Sequence, residues 1–378
     1  MSLLAALAPT PPVALPEAVG TSNRRAVLRV AALAVLVAAA ALTLRVLGTD
    51  PGIQAHQETL TSLYTPPSNA AEAILNQHDG QHAAALALDP TLRDHSVFGS
   101  REEHAYRAAR PLMGWLAALG SLGFAAAVPW VLLALTAIGT GALVAGVALL
   151  AQQSGRRVDL ALLAIALPGA VVQLGWAGLA DNLAVGATLA GLAWWSRGQT
   201  RWAVAAFCLA ALGRETTLVV PAAIVLAELS ARTPWRRLLP LVTPVALLAG
   251  WTCVVRWRIG VWPSGAGDSR IGTPWTGLGV AAGRWDAADV AVLVGVAALL
   301  VAACRRRVPR AHLLVVGLSL AGALFLGWNV WERWEDVTRV LLPACAVALV
   351  ALLPGEPPSD RRRAHDRSDV RLGEELGG

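Results

Sequence analysis

The residues best suited to chemistry lie in one polar segment, residues 49–110, of an otherwise strongly apolar chain. This segment contains the run NQHDGQH at 76–82 and, further on, Arg107 and Arg110. A carboxylate such as Asp79 can remove a proton as a general base, and arginines can bind anions through paired N–H groups. Long loops in compact proteins are usually functional or disordered. The types and spacing of these residues predict that the segment holds the chemistry.

Residues 70–88 are predicted to form one helix within this segment. Asn69 is a suitable N-cap residue and Glu72 follows it three residues later, which is typical of a helix start. The helix would end at the Asp-Pro pair 89–90. One stripe of its surface would carry residues spaced three or four apart: Leu75, Asp79, His82 and Leu86.

That stripe predicts an amphipathic helix at the membrane boundary with Asp79 turned toward a cavity. Gly80, in the middle of the helix, costs about 1 kcal/mol relative to alanine. Close approach of a ligand would explain this glycine. The alternative is a local turn at Asp79-Gly80, with Asp79 simply solvated.

Composition indicates the class of protein that must position these residues. With 56% hydrophobic residues, 15% charged residues and a mean hydropathy of +0.55, the chain is too apolar for an ordinary soluble domain. The apolar residues occur in blocks long enough to cross a bilayer as helices, and the short alternating segments of a membrane β-barrel are not visible. The fold class predicted is an all-α, polytopic helical membrane protein.

The two ends of the chain are predicted to be disordered cytoplasmic tails, residues 1–23 and 355–378. The first is rich in proline and alanine, and the second has many charges. The multi-span membrane domain then covers residues 24–354, with residues 49–110 as a large first outer loop.

Arginine clusters predict the topology, because short arginine-rich loops stay on the cytoplasmic side. Six clusters occur: Arg24/Arg25/Arg29, Arg156/Arg157, Arg197/Arg201, Arg232/Arg236/Arg237, Arg305/Arg306/Arg307/Arg310 and Arg361 to Arg363. Placing all six inside predicts about ten crossings of the cell (plasma or inner) membrane, with both termini in the cytoplasm. The predicted crossings are 26–48, 127–152, 158–176, 182–195, 202–212, 217–229, 238–255, 289–304, 313–328 and 340–353.

Several of these segments are short for a hydrocarbon core of about 30 Å. The apolar stretch 111–123 is interpreted as a half-inserted or re-entrant helix, and 182–195 and 202–212 are also short. Half-length helices are tolerated where they line a protein cavity and not where they face lipid. A cavity open to the outer side is therefore expected.

Further charged residues are predicted on this outer side. Asp181 would lie at the outer end of a short helix, either as a second base or as an N-cap. Arg214 and Glu215 interrupt an apolar stretch, and each would cost about 2.5–3.5 kcal/mol at the bilayer centre. They would therefore bind phosphate or sugar in the cavity, or form a structural ion pair. Arg107, Arg110 and Arg339 would contact phosphate, or else extend to the membrane interface.

Other functions are less well supported. The sequence pI of about 10.0 is high enough for nucleic-acid binding, but clusters between spans explain the arginines better, so no nucleic-acid partner is expected. His78 and His82 have the spacing of metal ligands on a helix, yet no third ligand is identifiable. Exposed histidines are the favoured interpretation, and no metal site is assigned. The sequence leaves open whether the protein uses a divalent metal. Nucleotide-binding and nucleophile motifs are not recognisable.

Short motifs in the chain resemble those of a family of membrane glycosyltransferases. The sequence His78-Asp79-Gly80-Gln81, followed by Tyr106-Arg107, Arg110-Pro111-Leu112 and Trp115-Leu116, is similar to bacterial relatives of the PIG-V (GPI mannosyltransferase II-like) group of GT-C enzymes. Further matching positions are Ala180-Asp181-Asn182, Leu212-Gly213-Arg214-Glu215-Thr216 and Arg339-Val340-Leu341-Leu342-Pro343. The similarity extends from about residue 60 to 353.

The resemblance implies a GT-C-like fold and a mannosyltransferase-like activity. The donor would be a polyprenyl-phosphate sugar, the acceptor a cell-envelope glycan or lipid, and membrane lipids would surround the enzyme. Asp79 would be the general base, and the substrate-binding residues would be Gln81, Arg107, Arg110, Asp181, Arg214, Glu215 and Arg339. The alternatives are a multi-span transporter of a small molecule or lipid and a non-catalytic membrane homologue.

Overall fold

The computed structural model of the chain describes residues 21–52, 63–64, 66–94, 98, 100–263, 273–306 and 308–355. This described part is helical, and no β-strand occurs within it. Residues 21–23, assigned above to the N-terminal tail, already belong to the first helix. The remaining tail predictions, for residues 1–20 and 356–378, lie outside the described residues.

The helices follow one another with short connections. The α-helices are α1 Thr21–Gly48, α2 Ala70–Asn76, α3 Gly80–Leu88, α4 Arg101–Ala108, α5 Leu112–Gly120, α6 Val128–Gln153, α7 Pro168–Gly175, α8 Asp181–Ser196, α9 Thr200–Gly213, α10 Val219–Ser230, α11 Trp235–Leu238, α12 Thr243–Ile259, α13 Thr276–Ala282, α14 Ala287–Cys304, α15 Arg310–Leu324, α16 Trp328–Trp331, α17 Trp334–Val340 and α18 Leu342–Leu352. Turns of 3₁₀ helix cover Ala125–Ala127, Asp159–Ala166, Glu215–Leu218 and Leu239–Val242.

Within the described residues, four helical segments are long and apolar enough to cross a membrane: Arg24–Gly48, Ala125–Gln153, Trp235–Ile259 and Ala287–Cys304. In the first, third and fourth of these segments, only 22% of the most apolar 18-residue stretch is buried within the protein. In the second segment the buried share is 67%. Apolar helices with such exposed surfaces need lipid or another protein to cover them. The count of ten crossings stays a prediction, because helices such as α9, with 14 residues, extend only about 21 Å.

The centre of the protein is the contact between α6 and α8. A Cβ atom on Gly146 would lie 2.4 Å from the carbonyl oxygen of Gly186, so the two backbones approach closely only because both positions are glycine. Such small-residue contacts are common between membrane helices. Around this contact Leu143, Val147 and Leu189 are buried in the main core. Helix α8 therefore has a fixed position, with Asp181 at its first residue.

The single helix predicted for residues 70–88 is wrong. The chain forms α2, breaks at residues 77–79 and begins again as α3 at Gly80. The predicted start is confirmed, because the Asn69 side chain accepts a hydrogen bond from the backbone N–H of Glu72. The break makes Asp79 a junction residue and not a member of a continuous helical stripe.

The predicted crossing at 158–176 is also not one helix. It consists of the 3₁₀ segment Asp159–Ala166, an extended residue Leu167, and α7. Pro168 explains the break, because the residue before a proline is disfavoured in the helical conformation. The broken segment brings α7 against α17, where a Cβ atom on Gly169 would lie 2.4 Å from the carbonyl oxygen of Thr338.

Candidate functional site

Two glycines in backbone contact position the Asp79 junction. A Cβ atom on Gly80 would lie 2.2 Å from the carbonyl oxygen of Ala177, and one on Gly178 would lie 2.9 Å from the Cα of Gly80. Gly178 also has a φ of +89°, a conformation that favours glycine. Gly80 is therefore explained by the approach of a neighbouring backbone, and the expectation that a ligand explains it is wrong.

Hydrogen bonds from α6 hold the same connection before α8. The backbone N–H of Gly178 donates to Thr136 Oγ1 at 2.9 Å, and Asn182 Nδ2 donates to Thr140 Oγ1 at 3.2 Å. Both threonines are buried. Since α6 is one of the four candidate membrane spans, the connection is tied to the centre of the protein.

Asp79 pairs with Arg107 from α4. The distance between Arg107 Nη1 and Asp79 Oδ2 is 2.6 Å, and the two side chains are 16% and 30% exposed respectively. Burial alone would raise the pKa of Asp79, but the charges of Arg107 and Arg339 outweigh burial and hold that pKa well below its usual range. Asp79 is thus ionised at neutral pH, and its proton affinity is low while Arg107 is bound.

Asp181 lies between two arginines from distant parts of the chain. Its carboxylate is 3.1 Å from Arg214 Nε and 3.3 Å from Arg339 Nη2, and it accepts a hydrogen bond of 2.9 Å from Gln173 Nε2. Burial alone would raise the pKa of Asp181, but the two arginines keep it below its usual value. The N-cap residue of α8 is Ala180, and Asp181 follows it as the first residue of the helix. The N-cap interpretation is therefore wrong.

Glu215 pairs with Arg110 and Arg214 pairs with Asp181, so the predicted structural ion pairing is present but does not join Arg214 to Glu215. Arg110 Nε donates to Glu215 Oε2 at 2.7 Å, and Arg110 Nη2 donates to the hydroxyl of Tyr106 at 2.8 Å. Burial opposes ionisation, yet the charge of Arg110 lowers the pKa of Glu215 to about 2. Arg110 thus has close partners, and it joins the connection after α4 to the 3₁₀ turn after α9.

Arg339 also contacts Asp336 and Trp176. Arg339 Nη1 donates to Asp336 Oδ1 at 3.2 Å, and its guanidinium carbon lies 5.2 Å from the centroid of the Trp176 ring. Burial raises the pKa of Asp336; Arg339 opposes that rise and the negative charge of Asp79 adds to it. The sequence interpretation missed Asp336, although its position three residues before Arg339 in a helix is a recognisable signal.

The arginines of the cluster are not interfacial side chains that extend to water. The side chains of Arg107, Arg110 and Arg339 are 16%, 18% and 4% exposed, and each contacts a carboxylate. Arg107 is held in addition by α4, whose last residue Ala108 accepts a hydrogen bond from Trp251 of α12 at 2.8 Å. The interfacial interpretation of these arginines is wrong.

A small cavity of about 60 Å³ lies at the centre of this cluster. Six of the predicted site residues line it: Asp79, Arg107, Arg110, Asp181, Arg214 and Arg339. Four arginines and two aspartates leave the lining with a net charge of +2 when the histidine in the lining is neutral. Such a lining favours an anion. Glu215 pairs with Arg110 but does not itself line the cavity.

Gln81 lies outside the cavity lining as well. Its side-chain oxygen accepts a hydrogen bond of 3.0 Å from the backbone N–H of Leu63. The geometry therefore gives Gln81 a supporting contact within the first outer loop, and direct contact with a substrate stays a prediction.

Three buried N–H groups around the cavity have no hydrogen-bond acceptor among the described residues. They are the Nε atoms of Arg107, Arg214 and Arg339. Arg214 Nε is near Asp181, but the geometry is that of an ion pair without a hydrogen bond. Buried donors are nearly always satisfied in proteins, so three unsatisfied guanidinium donors at one cavity call for an explanation. An anion with several oxygen atoms would supply the acceptors.

The histidines with metal-ligand spacing have different neighbours. His78 stacks on Trp176 with ring centroids 4.7 Å apart, and His82 stacks on Phe98 at 5.5 Å. Burial and the nearby charge of Arg45 lower the pKa of His78 to about 4. The described residues contain no group of three or more His, Cys, Asp or Glu side chains arranged to hold a metal ion.

Comparison of the chain with protein-family models, curated proteins and solved structures found no match. The resemblance to GT-C glycosyltransferases therefore remains an interpretation of short motifs.

Proposed function

We propose that the chain is a membrane glycosyltransferase that transfers a sugar from a polyprenyl-phosphate donor to a cell-envelope glycan or lipid. The observation that carries this proposal is the set of three unsatisfied arginine Nε donors around a cavity that Asp79 also lines. A reaction that releases a phosphate from a sugar needs cations at the phosphate and one base at the acceptor. The cluster contains both kinds of group.

In this proposal Arg107, Arg214 and Arg339 bind the phosphate of the donor. Arginine N–H groups pair well with phosphate oxygens, and the pairing strengthens as charge develops on the leaving group. A lipid phosphate is already a good leaving group, so the reaction needs no strong general acid. The +2 charge of the lining would also favour entry of the anionic donor.

Donor binding would free Asp79 to act as the base. In the structure Arg107 Nη1 lies 2.6 Å from Asp79 Oδ2, so the Asp79 carboxylate is already paired with a cation. A phosphate oxygen that takes over Arg107 would release Asp79, and the pKa of Asp79 would then rise from the low value that Arg107 and Arg339 maintain. The acceptor oxygen would attack the anomeric carbon, the bond from that carbon to the phosphate oxygen would break, and the acceptor proton would pass to Asp79.

The cavity must enlarge for this reaction. Its volume of about 60 Å³ is far below the range of about 300–1,000 Å³ that is typical of small-molecule sites. Separation of the Asp79–Arg107 pair would open the contact between α3 and α4. In the proposed enzyme this pair would therefore have to separate before the donor enters.

The proposed setting is a cell membrane, with the Asp79 cluster on the outer face and both termini in the cytoplasm. Four apolar helices of sufficient length support membrane insertion. The orientation follows from the arginine clusters in the sequence.

The direct test is sugar transfer by the purified full-length chain in lipid nanodiscs. A panel of polyprenyl-phosphate hexoses and pentoses, each with a radiolabelled sugar, would be offered together with a membrane-lipid extract as acceptor. The expected result is a labelled product and co-purification of a polyprenyl phosphate, identified by mass spectrometry. Absence of both transfer and donor binding across the panel would contradict the proposal.

A further inference from the structure

A second and larger cavity lies at the opposite end of α8 from Asp181. Its volume is about 530 Å³, within the usual range for small-molecule sites. It is enclosed by the last turns of α6, α8, α10 and α18 and by the first turn of α15. Since α8 has 16 residues, about 24 Å separates the two cavities along its axis. The proposed glycosyl transfer uses nothing at this end.

The walls of this cavity are apolar on several sides. Leu150, Leu192, Ile224, Val350 and the ring of Trp195 line it. Helices of the main core supply these side chains, so the walls have a defined shape. Such a surface suits a hydrocarbon chain.

Two arginines at the cavity have no carboxylate partner within 4.0 Å among the described residues. Arg156 Nη1 donates to the carbonyl oxygen of Leu353 at 2.9 Å, and Arg197 Nη2 donates to Gln152 Oε1 at 3.2 Å. The carboxylate that lines the cavity, Glu228, accepts a hydrogen bond of 2.6 Å from Thr233. Two guanidinium groups against one carboxylate leave an excess of one positive charge.

Polar groups at the cavity lack partners as well. The Nε2 atom of Gln152 and the Oε1 atom of Gln153 are buried without a hydrogen bond in the described part of the chain. His312 is only 6% exposed and also lines the cavity. A buried polar group without a hydrogen bond costs free energy of folding, so a ligand with hydrogen-bonding atoms would supply the missing partners.

We propose that this cavity binds an anionic amphiphile, with its phosphate on Arg156 and Arg197 and its hydrocarbon chain along the apolar walls. Basic pockets between membrane helices on the cytoplasmic side bind the head groups of anionic lipids. The predicted topology places Arg156 and Arg197 on that side, where anionic lipids are common. The ligand class follows from the combination of unpaired cations and apolar walls.

The source of the phosphate is a lipid head group and not free phosphate. Free phosphate would satisfy the arginines but would leave the apolar walls uncovered. The probes are therefore dioctanoyl phosphatidylglycerol, dioctanoyl phosphatidylcholine and inorganic phosphate, each added to the full-length chain in a neutral detergent. The measurements are the thermal unfolding midpoint as a function of probe concentration and the bound probe detected by native mass spectrometry.

The expected result is saturable stabilisation by phosphatidylglycerol and none by the other two probes. Arg197→Gln should weaken phosphatidylglycerol binding about tenfold or more, as expected for loss of one charge-assisted hydrogen bond. Arg201→Gln is the matched control, because Arg201 lies in the same arginine cluster, is exposed and does not line the cavity. This control should bind like the unaltered chain.

A second variant fills the space instead of removing a charge. Ala227 lines the cavity, and Ala227→Phe should abolish binding while the chain stays folded, as judged by its unfolding midpoint without probe. Equal stabilisation by phosphatidylcholine or by inorganic phosphate would overturn the proposal. So would phosphatidylglycerol binding that survives both Arg197→Gln and Ala227→Phe. Neither outcome depends on glycosyl transfer, so the two proposals fail separately.

Discussion

Arg339 and Asp181 are 158 residues apart in the chain, yet Arg339 Nη2 donates to Asp181 Oδ2 at 3.3 Å. Their side chains are 4% and 2% exposed. This pair joins α17 to the first turn of α8, and Arg214 binds the other oxygen of the same carboxylate. The central ion cluster is therefore a cross-link between distant segments as well as a candidate anion site.

We expect Arg339→Ala to destabilise the protein by about 3–5 kcal/mol. The substitution leaves Asp181 buried with one cation in place of two, and loss of one partner of a buried pair is strongly destabilising. Urea unfolding of the detergent-solubilised chain measures the change. Arg157→Ala is the control, because Arg157 pairs with Asp159 at the exposed surface and its loss should not alter the unfolding midpoint measurably. An equal, small effect of both substitutions would contradict a structural role for the pair.

Asp79→Asn should lower glycosyl transfer about 100-fold or more, because a positioned general base contributes about that factor. Donor binding should persist, since the substitution frees Arg107 for the phosphate. The assay separates turnover, measured at saturating donor, from donor affinity, measured by equilibrium binding. Glu102→Gln is the control, because Glu102 is exposed on α4. Undiminished turnover by Asp79→Asn would remove Asp79 from the mechanism.

Acid should destabilise the protein through Glu215 between about pH 4.5 and pH 2. The pKa of Glu215 is lowered from 4.5 to about 2, against the effect of burial, by the charge of Arg110. A lowered pKa contributes stability above the unfolded value, and this contribution is lost as the pH falls through the folded value. Thermal midpoints measured from pH 6 to pH 2 should fall less steeply for Glu215→Gln. Identical slopes would show that the pair does not control acid stability.

Gly80→Ala should destabilise the protein by about 1–3 kcal/mol, the range for an overpacked site. The new Cβ atom would meet the carbonyl oxygen of Ala177 at 2.2 Å and would push α3 away from the connection that precedes α8. The unfolding midpoint and the loss of glycosyl transfer both report this shift. Gly317→Ala is the control, because no atom lies within 4 Å of a Cβ atom there. A neutral result for Gly80→Ala would argue against the backbone contact with Ala177.

Labelling of introduced cysteines should give the orientation. With the four native cysteines replaced by serine, Glu102→Cys should react with a membrane-impermeant maleimide in intact cells. Arg201→Cys should react only after the cells are permeabilised, because the arginine-rich loops are predicted to be cytoplasmic. The reverse pattern would place the Asp79 cluster inside the cell and would remove the basis of the proposed donor.

Local signals in the sequence predicted several features correctly. Asn69 and Glu72 marked a helix start, since capping depends on residues three positions apart. Apolar length also indicated the four helical segments that are long enough to cross a membrane, among the ten crossings predicted. Six of the predicted site residues line one cavity, although the sequence did not indicate how they pair.

Pairing depended on contacts that no local pattern encodes. Arg110 pairs with Glu215 because the connection after α4 meets the 3₁₀ turn after α9. Asp79 lies beside Arg107 where Gly80 packs against Ala177 and Gly178.

By itself, then, the sequence determined the all-helical class, the long apolar helices and the charged residue types available near Asp79. These properties depend on composition, periodicity and neighbours within one helical turn. Only the tertiary structure decided which arginine binds which carboxylate, where N–H groups remain unsatisfied, and that a second cavity lies about 24 Å along α8. Such features arise where separate helices and connections pack together, as the segments that carry Arg339 and Asp181 do across a separation of 158 residues.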